Sequence, residues 1–134
     1  MDNSMDINTD KSNQVLLKLK DKHKQMDSLM AFTKEISNVF DTNNLEPLGT
    51  VLAKRQEVMD KIDKINLDVK RLISGMTPQY GARMKKILAP KANITKFNTP
   101  LEKNIFDTNK MTLAQLQKII VLDKEANKKM KKGV

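Results

Sequence analysis

The sequence contains no cysteine and no tryptophan, and these absences limit the kinds of small protein that it can encode. Without thiols the chain forms no disulfide and offers no thiolate ligand to a metal ion. Aromatic residues make up only 4% of the 134 residues, and glycine and proline number four each. Sandwiches and barrels depend on bulky strand formers and frequent turns, so these counts argue against an all-β fold.

Long apolar runs are missing as well. No stretch of 18 consecutive apolar residues occurs, so the sequence offers no candidate transmembrane helix. The N-terminal stretch MDNSMDINTDKSNQ is polar and acidic and lacks an apolar segment of the signal-peptide type. These features predict a soluble, cytoplasmic protein that does not insert into a membrane.

Residues that commonly carry catalysis are scarce. The only histidine is His23, and no second histidine or cysteine accompanies it in a metal site or a catalytic pair. Carboxylates stand four residues before lysines, as in Glu57–Lys61 and Asp60–Lys64, a spacing that stabilises exposed helices. No glycine-rich phosphate loop is present. We therefore expect neither an enzyme nor a cofactor or metal site.

Strong helix formers, in contrast, dominate the long segments of the chain. Apolar residues recur there at helical spacing. Signals that end or begin helices separate the segments: DTNN at 41–44, Gly75, and the capping box TPLE at 99–102. We predict an all-α fold in which a long antiparallel helical hairpin and a third long C-terminal helix form a coiled-coil-like bundle, with a short helix and loop inserted.

The boundaries follow from the same signals. Residues 1–11 are too polar to offset the entropy cost of ordering, so we predict a disordered N-terminus, with Ser12 as the N-cap of the first helix. A break in the last helix near 107–109, with a restart at Thr112, is an alternative. The predicted helices span about 12–40, 45–74, 78–88 and 100–131, within a single helical domain at 12–131 that is followed by a tail at 132–134.

Charge is distributed unevenly along the chain. The net charge is +9, and no acidic residue occurs between Asp68 and Glu102. Such a basic segment is either a solvated surface or a site that attracts an anionic partner, nucleic acid included. Only Tyr80 and Phe97 accompany it as stacking aromatics, and no known DNA-binding motif occurs. Nucleic acid is therefore not the expected partner, and the role of residues 70–98 stays open.

One position of the second helix interrupts its apolar stripe. Arg55 occupies the slot between Val51 and Val58 in a run that otherwise reads as a coiled-coil seam. A half-buried charge needs a partner, and Asp123 lies on the apolar face of the last helix. If the second and last helices are antiparallel, the two residues come roughly level, and an Arg55–Asp123 pair would fix the register between helices. The alternative is that Arg55 extends to solvent without a fixed partner.

Two segments, LAKRQEVMDKIDKI (52–65) and LQKIIVLDKEANKKM (116–130), resemble the flagellar export chaperones of the FlgN type. In that family a long hairpin carries a Lys/Arg-Gln step and an Ile-x-x-Ile run, and the last helix carries an aliphatic–Asp step and then an asparagine. The resemblance implies a cytoplasmic chaperone that binds the terminal amphipathic helices of hook-associated proteins, prevents their premature assembly and delivers them to the export apparatus. The matching residues here are Arg55, Gln56, Ile62, Ile65, Ile119, Leu122, Asp123 and Asn127.

The last helix also carries more apolar residues than packing on a two-helix hairpin requires. The excess could face a partner helix or a second copy of the chain, or it could belong to a wider core. Nine methionines add deformable apolar surface of the kind that accommodates an incoming helix. A structural coiled-coil subunit that only self-associates is the main alternative function. The residues predicted to bind the partner are Leu113, Leu116, Ile119, Ile120 and Met130.

Overall fold

The computed structural model describes residues 3–132, with side chains from residue 6 onward. Four helices account for most of this range: α1 (Asn3–Asp41), α2 (Leu48–Ser74), α3 (Pro78–Ile87) and α4 (Pro100–Lys132). Within it there is no strand, and the helices pack on one another, so the predicted all-α bundle is confirmed.

The three long helices form an up-down-up arrangement with α1 in the middle. Near one end, Lys18 Nζ lies 3.1 Å from Asp68 Oδ2, which joins the first part of α1 to the last part of α2. Near the other, Lys129 Nζ lies 2.8 Å from Asp41 Oδ2, which joins the C-terminal ends of α1 and α4. Both α2 and α4 pack closely along α1, whereas their backbones hardly approach each other. The bundle is therefore splayed between α2 and α4.

The predicted disorder of residues 1–11 is wrong for residues 3–11, which form the first turns of α1; Met1 and Asp2 lie outside the described residues. Tertiary contacts hold this segment. Asn8 Nδ2 donates to Thr77 Oγ1 at 2.9 Å, and the Thr77 amide donates back to Asn8 Oδ1 at 3.0 Å. Ser12, predicted as an N-cap, is fully buried inside the helix, and its hydroxyl donates to the Tyr80 hydroxyl. Composition alone does not reveal such partners.

The remaining boundaries lie close to the predicted ones. In the turn after α1, Asn43 has a left-handed φ of 59°, and α2 begins at Leu48, directly after Pro47. The last helix runs unbroken through 107–109, so the alternative break is wrong. There the Thr112 hydroxyl donates to the Thr108 carbonyl within the helix, and Asn109 Nδ2 donates to the Leu88 carbonyl. The predicted tail begins at Lys132, which is still helical, and residues 133–134 lie outside the described range.

The short helix α3 closes the end of the bundle at which α1 and α4 begin. Its Met84 and Ile87 are completely buried in the largest apolar cluster, together with Val15 from α1 and Ile105 from α4. Glu102 is buried at the same end, where its Oε1 accepts hydrogen bonds from the Arg83 guanidinium at 3.2 Å and from the backbone N–H of residue 98 at 3.1 Å. These contacts tie α3 and the following loop to the first turn of α4.

Candidate functional site

Arg55 connects the three long helices. Its Nη2 donates to both carboxylate oxygens of Asp123 on α4, at 2.9 and 2.7 Å. Its Nε donates to Thr33 Oγ1 on α1 at 3.2 Å, and the Thr33 hydroxyl donates in turn to the Leu29 carbonyl. We call Thr33, Arg55 and Asp123 the polar layer. The long arginine side chain reaches from α2 to α4 between two apolar clusters, one containing Val58 and Ile119 and the other Val51 and Ala126.

The contact with Asp123 is the one predicted from the apolar stripes. The clusters on either side of it, Val58 with Ile119 and Val51 with Ala126, show that α2 and α4 are antiparallel here. The Arg55 side chain is 19% exposed and that of Asp123 39%, so the pair lies at the edge of the core rather than inside it. The alternative in which Arg55 has no fixed partner is therefore wrong. That the pair also determines the helix register stays a prediction.

The residues predicted to bind a partner do not share one environment. Ile119 is only 2% exposed and packs with Met26, Leu29, Val58 and Ile62 in the central apolar cluster, so its assignment to a partner surface is wrong. The reason is geometric, because Ile119 lies on the buried face of α4. Thr112 and Ala126, each seven residues from Ile119, lie on the same face and are also buried.

The other four predicted residues lie nearer to solvent. Leu116 is half-buried and packs against the central cluster, and Leu113 is half-buried one turn before it. Ile120 and Met130 are exposed. Leu113, Leu116 and Ile120 lie three or four residues apart on the side of α4 that carries Asp123, and therefore on the side nearest α2.

Two further apolar residues of α4 lie outside the predicted partner-binding set. Met111 is 57% exposed and Val121 is 55% exposed, and both lie away from Asp123. Each borders a shallow depression between α1 and α4. One depression, of about 330 Å³, is lined by Met30, Lys34, Lys118, Val121 and Leu122. The other, of about 300 Å³ and nearer the N-terminal ends of α1 and α4, is lined by Lys20, His23, Lys24, Thr108 and Met111.

The two depressions lie on the same side of the contact between α1 and α4. Residues seven positions apart recur in them on both helices: His23 and Met30 on α1, Met111 and Lys118 on α4. Asp27, exposed on α1, accepts a hydrogen bond from Gln115 between them. We call the two depressions, together with the Asp27–Gln115 contact between them, the outer groove. The signal for it in the sequence is the seven-residue spacing of residues at the edge of the contact between α1 and α4, and not their apolarity.

Metal-binding geometry does not occur in the described part of the chain. Residues 3–132 contain no group of three or more His, Asp or Glu side chains placed to hold a metal ion. Likewise, none of the described helices is long and apolar enough to cross a bilayer. The feature of these residues that suggests binding of a helix is the apolar surface of α4 and its borders with α1 and α2.

Comparisons with known proteins identify no relative: no protein-family model, no curated protein and no solved structure matches this chain.

Proposed function

We propose that this protein is a flagellar export chaperone of the FlgN type, acting in the cytoplasm. It binds amphipathic helices of hook-associated proteins, prevents their premature assembly and delivers them to the export apparatus. The observation that supports this proposal is the uncovered apolar surface of α4. Four large apolar side chains of that helix are more than one-third exposed: Met111, Ile120, Val121 and Met130.

The exposed residues of α4 suit an amphipathic helix as ligand. Met111 and Met130 have flexible, polarisable side chains that adapt to different apolar neighbours. Large apolar side chains are also exposed elsewhere in the bundle, such as Leu17 on α1 and Leu67 on α2, but the depression between α1 and α2 is lined almost entirely by charged and polar residues. A bound helix would bury the apolar face that a secreted protein otherwise uses for assembly, which is the physical basis of chaperone action.

A direct test is co-expression of the tagged full-length chain with the terminal helical segments of hook-associated proteins from a flagellated bacterium. We expect one such segment to co-purify in a defined complex and to raise the melting temperature of the chain, because a ligand that binds only the folded state stabilises it. Val121→Asp should weaken the complex at least tenfold, because it places a charge on the uncovered surface. Leu67→Asp, at a comparably exposed apolar position on α2, is the matched control and should leave binding unchanged.

Failure of every such segment to co-purify would contradict the proposal. A chain that instead forms a stable dimer in which the surface of α4 is protected, and that binds no segment, would favour the structural coiled-coil alternative. Size-exclusion chromatography with light scattering separates these two outcomes.

A further inference from the structure

The outer groove has a charged border as well as an apolar floor. Its floor is formed by the apolar lining residues Met30, Met111, Val121 and Leu122. Lysines stand along it on both helices, with three of them on α1. All four lysines are exposed, and none forms a salt bridge with another described residue: Lys20, Lys24, Lys34 and Lys118.

One acidic residue, Asp27, lies within this border, and its carboxylate is engaged by the Gln115 side-chain amide. The border therefore carries an excess of three positive charges. A few lysines elsewhere on the bundle form ion pairs, as Lys18 does with Asp68 and Lys129 with Asp41, but most do not. The four lysines of the outer groove are distinguished by their place, since they border an apolar floor and are not neutralised by a described carboxylate.

From this geometry we infer that the outer groove binds an amphipathic helix whose apolar stripe is flanked by acidic residues. This inference rests on the proposed function and specifies the partner of the part of the α4 surface that contains Met111 and Val121. The groove between two parallel helices accepts a third helix, whose apolar stripe covers the methionine and aliphatic floor. Glutamate or aspartate on one side of that stripe then meets the three lysines of α1, and on the other side it meets Lys118 of α4.

The length of the groove sets the length of the partner. Lys20 and Lys34 are 14 residues apart on α1, which corresponds to about 21 Å, or about four helical turns. A partner segment of about 14–18 residues covers this distance. Its acidic residues should recur at i, i+3 or i+4 on both flanks of the stripe, in register with the lysines.

The charges determine selectivity more than total affinity. The lysines are exposed, so each ion pair with a partner contributes little in absolute terms and is screened by salt. A partner with lysine flanks, however, would meet like charge along the whole groove. Discrimination between acidic and basic flanks is therefore the property by which this site differs from a purely apolar one.

The test uses the full-length protein and two synthetic 18-residue helical peptides with the same leucine stripe, one flanked by glutamate and the other by lysine. Fluorescence anisotropy measures their affinities at low and at physiological ionic strength. We expect the glutamate-flanked peptide to bind at least tenfold more tightly than the lysine-flanked one, and this ratio to shrink as salt rises. Equal affinities, or tighter binding of the lysine-flanked peptide, would overturn the inference.

Charge reversal locates the site. Lys34→Glu combined with Lys118→Glu should reverse the preference between the two peptides. Lys54→Glu combined with Lys64→Glu changes the net charge by the same amount at exposed positions on α2 and should leave the preference intact. An equal effect of both double variants would mean that the net charge of the protein, and not the outer groove, selects the peptide.

The outcome for natural segments separates this inference from the proposed function. If a hook-associated segment co-purifies with the chain but its binding is unaffected by Lys34→Glu with Lys118→Glu, the chaperone function stands and the outer groove is not its site. If the glutamate-flanked peptide binds the groove while no hook-associated segment binds, the groove is a helix-binding site and the flagellar assignment fails. A second copy of the chain seated in the groove would appear as a dimer that the same double variant dissociates, which would also overturn the inference.

Discussion

The two ends of the bundle solve the same packing problem in different ways. At the end where α1 and α4 begin, α3 inserts Met84 and Ile87 between the long helices and completes the largest apolar cluster. At the opposite end no fourth helix is present among the described residues, and the apolar cluster there shrinks to Ile36, Val51 and Ala126 with half-buried neighbours. The splay between α2 and α4 is therefore filled by apolar side chains at one end and bridged by the polar layer nearer the other.

This difference shows what the polar layer does for the fold. Where α3 fills the gap, ordinary aliphatic packing is sufficient. Between the central apolar cluster and the small cluster at the opposite end, a long side chain with a directional contact reaches across, and Arg55 meets both Asp123 and Thr33. Such a contact contributes less free energy than apolar burial but specifies which residues face each other. We expect the α3 end to supply most of the stability and the polar layer to supply register.

The largest expected effect comes from a cavity at the α3 end. Ile105→Ala removes a completely buried side chain and should lower the free energy of unfolding by about 3–4 kcal/mol. Ile36→Ala at the opposite end should cost about 2 kcal/mol, because Phe32 and Phe40 beside it are only half-buried and can relax into the space. Urea unfolding followed by far-UV circular dichroism measures both. Equal losses at the two ends would remove the proposed asymmetry.

Removing one member of the polar layer should have an intermediate effect. Asp123→Asn keeps the size of the side chain but leaves the Arg55 guanidinium without its anion. We expect a loss of about 1–2 kcal/mol, moderated by the partial exposure of both groups. As a matched control, Asp107→Asn in the exposed Lys103–Asp107 pair should cost less than about 0.5 kcal/mol. Urea titrations at two ionic strengths give both values.

A double-mutant cycle then tests whether the Arg55–Asp123 contact is direct and specifies register. If it is, Arg55→Met and Asp123→Leu together should restore much of the stability that either change removes alone. The double variant should nevertheless lack a single register between α2 and α4, which would appear as broader amide signals along both helices in NMR spectra. Additive losses would mean that the two side chains act independently, and an unchanged spectrum would show that apolar packing alone sets the register.

How much of this arrangement is readable from the sequence depends on the kind of interaction. Helix type and approximate length follow from periodicity and capping signals, because these are local. The Arg55–Asp123 contact was also predictable, since a charge in an apolar stripe requires a partner. The early start of α1 was not, because it depends on contacts between Asn8 and Thr77, 69 positions apart. Nor was the burial of Ile119, since an apolar residue does not itself show which neighbour covers it.

The smallest expected effect concerns Lys22, a half-buried lysine on α1 between the two ends. Burial removes solvent from its ammonium group and lowers its pKa below the ordinary 10.5. The unfolded chain therefore binds more protons than the folded one between the lowered pKa and 10.5, so this residue makes stability rise with pH in that window and costs stability at neutral pH. Lys22→Met should thus raise the free energy of unfolding at pH 7 by less than about 1 kcal/mol, with the gain over the native chain shrinking as the pH approaches 10.5.

Lys20→Met, at an exposed position on the same helix, serves as the control and should change stability by no more than about 0.5 kcal/mol throughout. Thermal unfolding of the native chain and the two variants from pH 7 to 10.5 measures these differences. If the stability gained by Lys22→Met grew with pH, the lysine would stabilise the fold by a contact rather than weaken it by its burial.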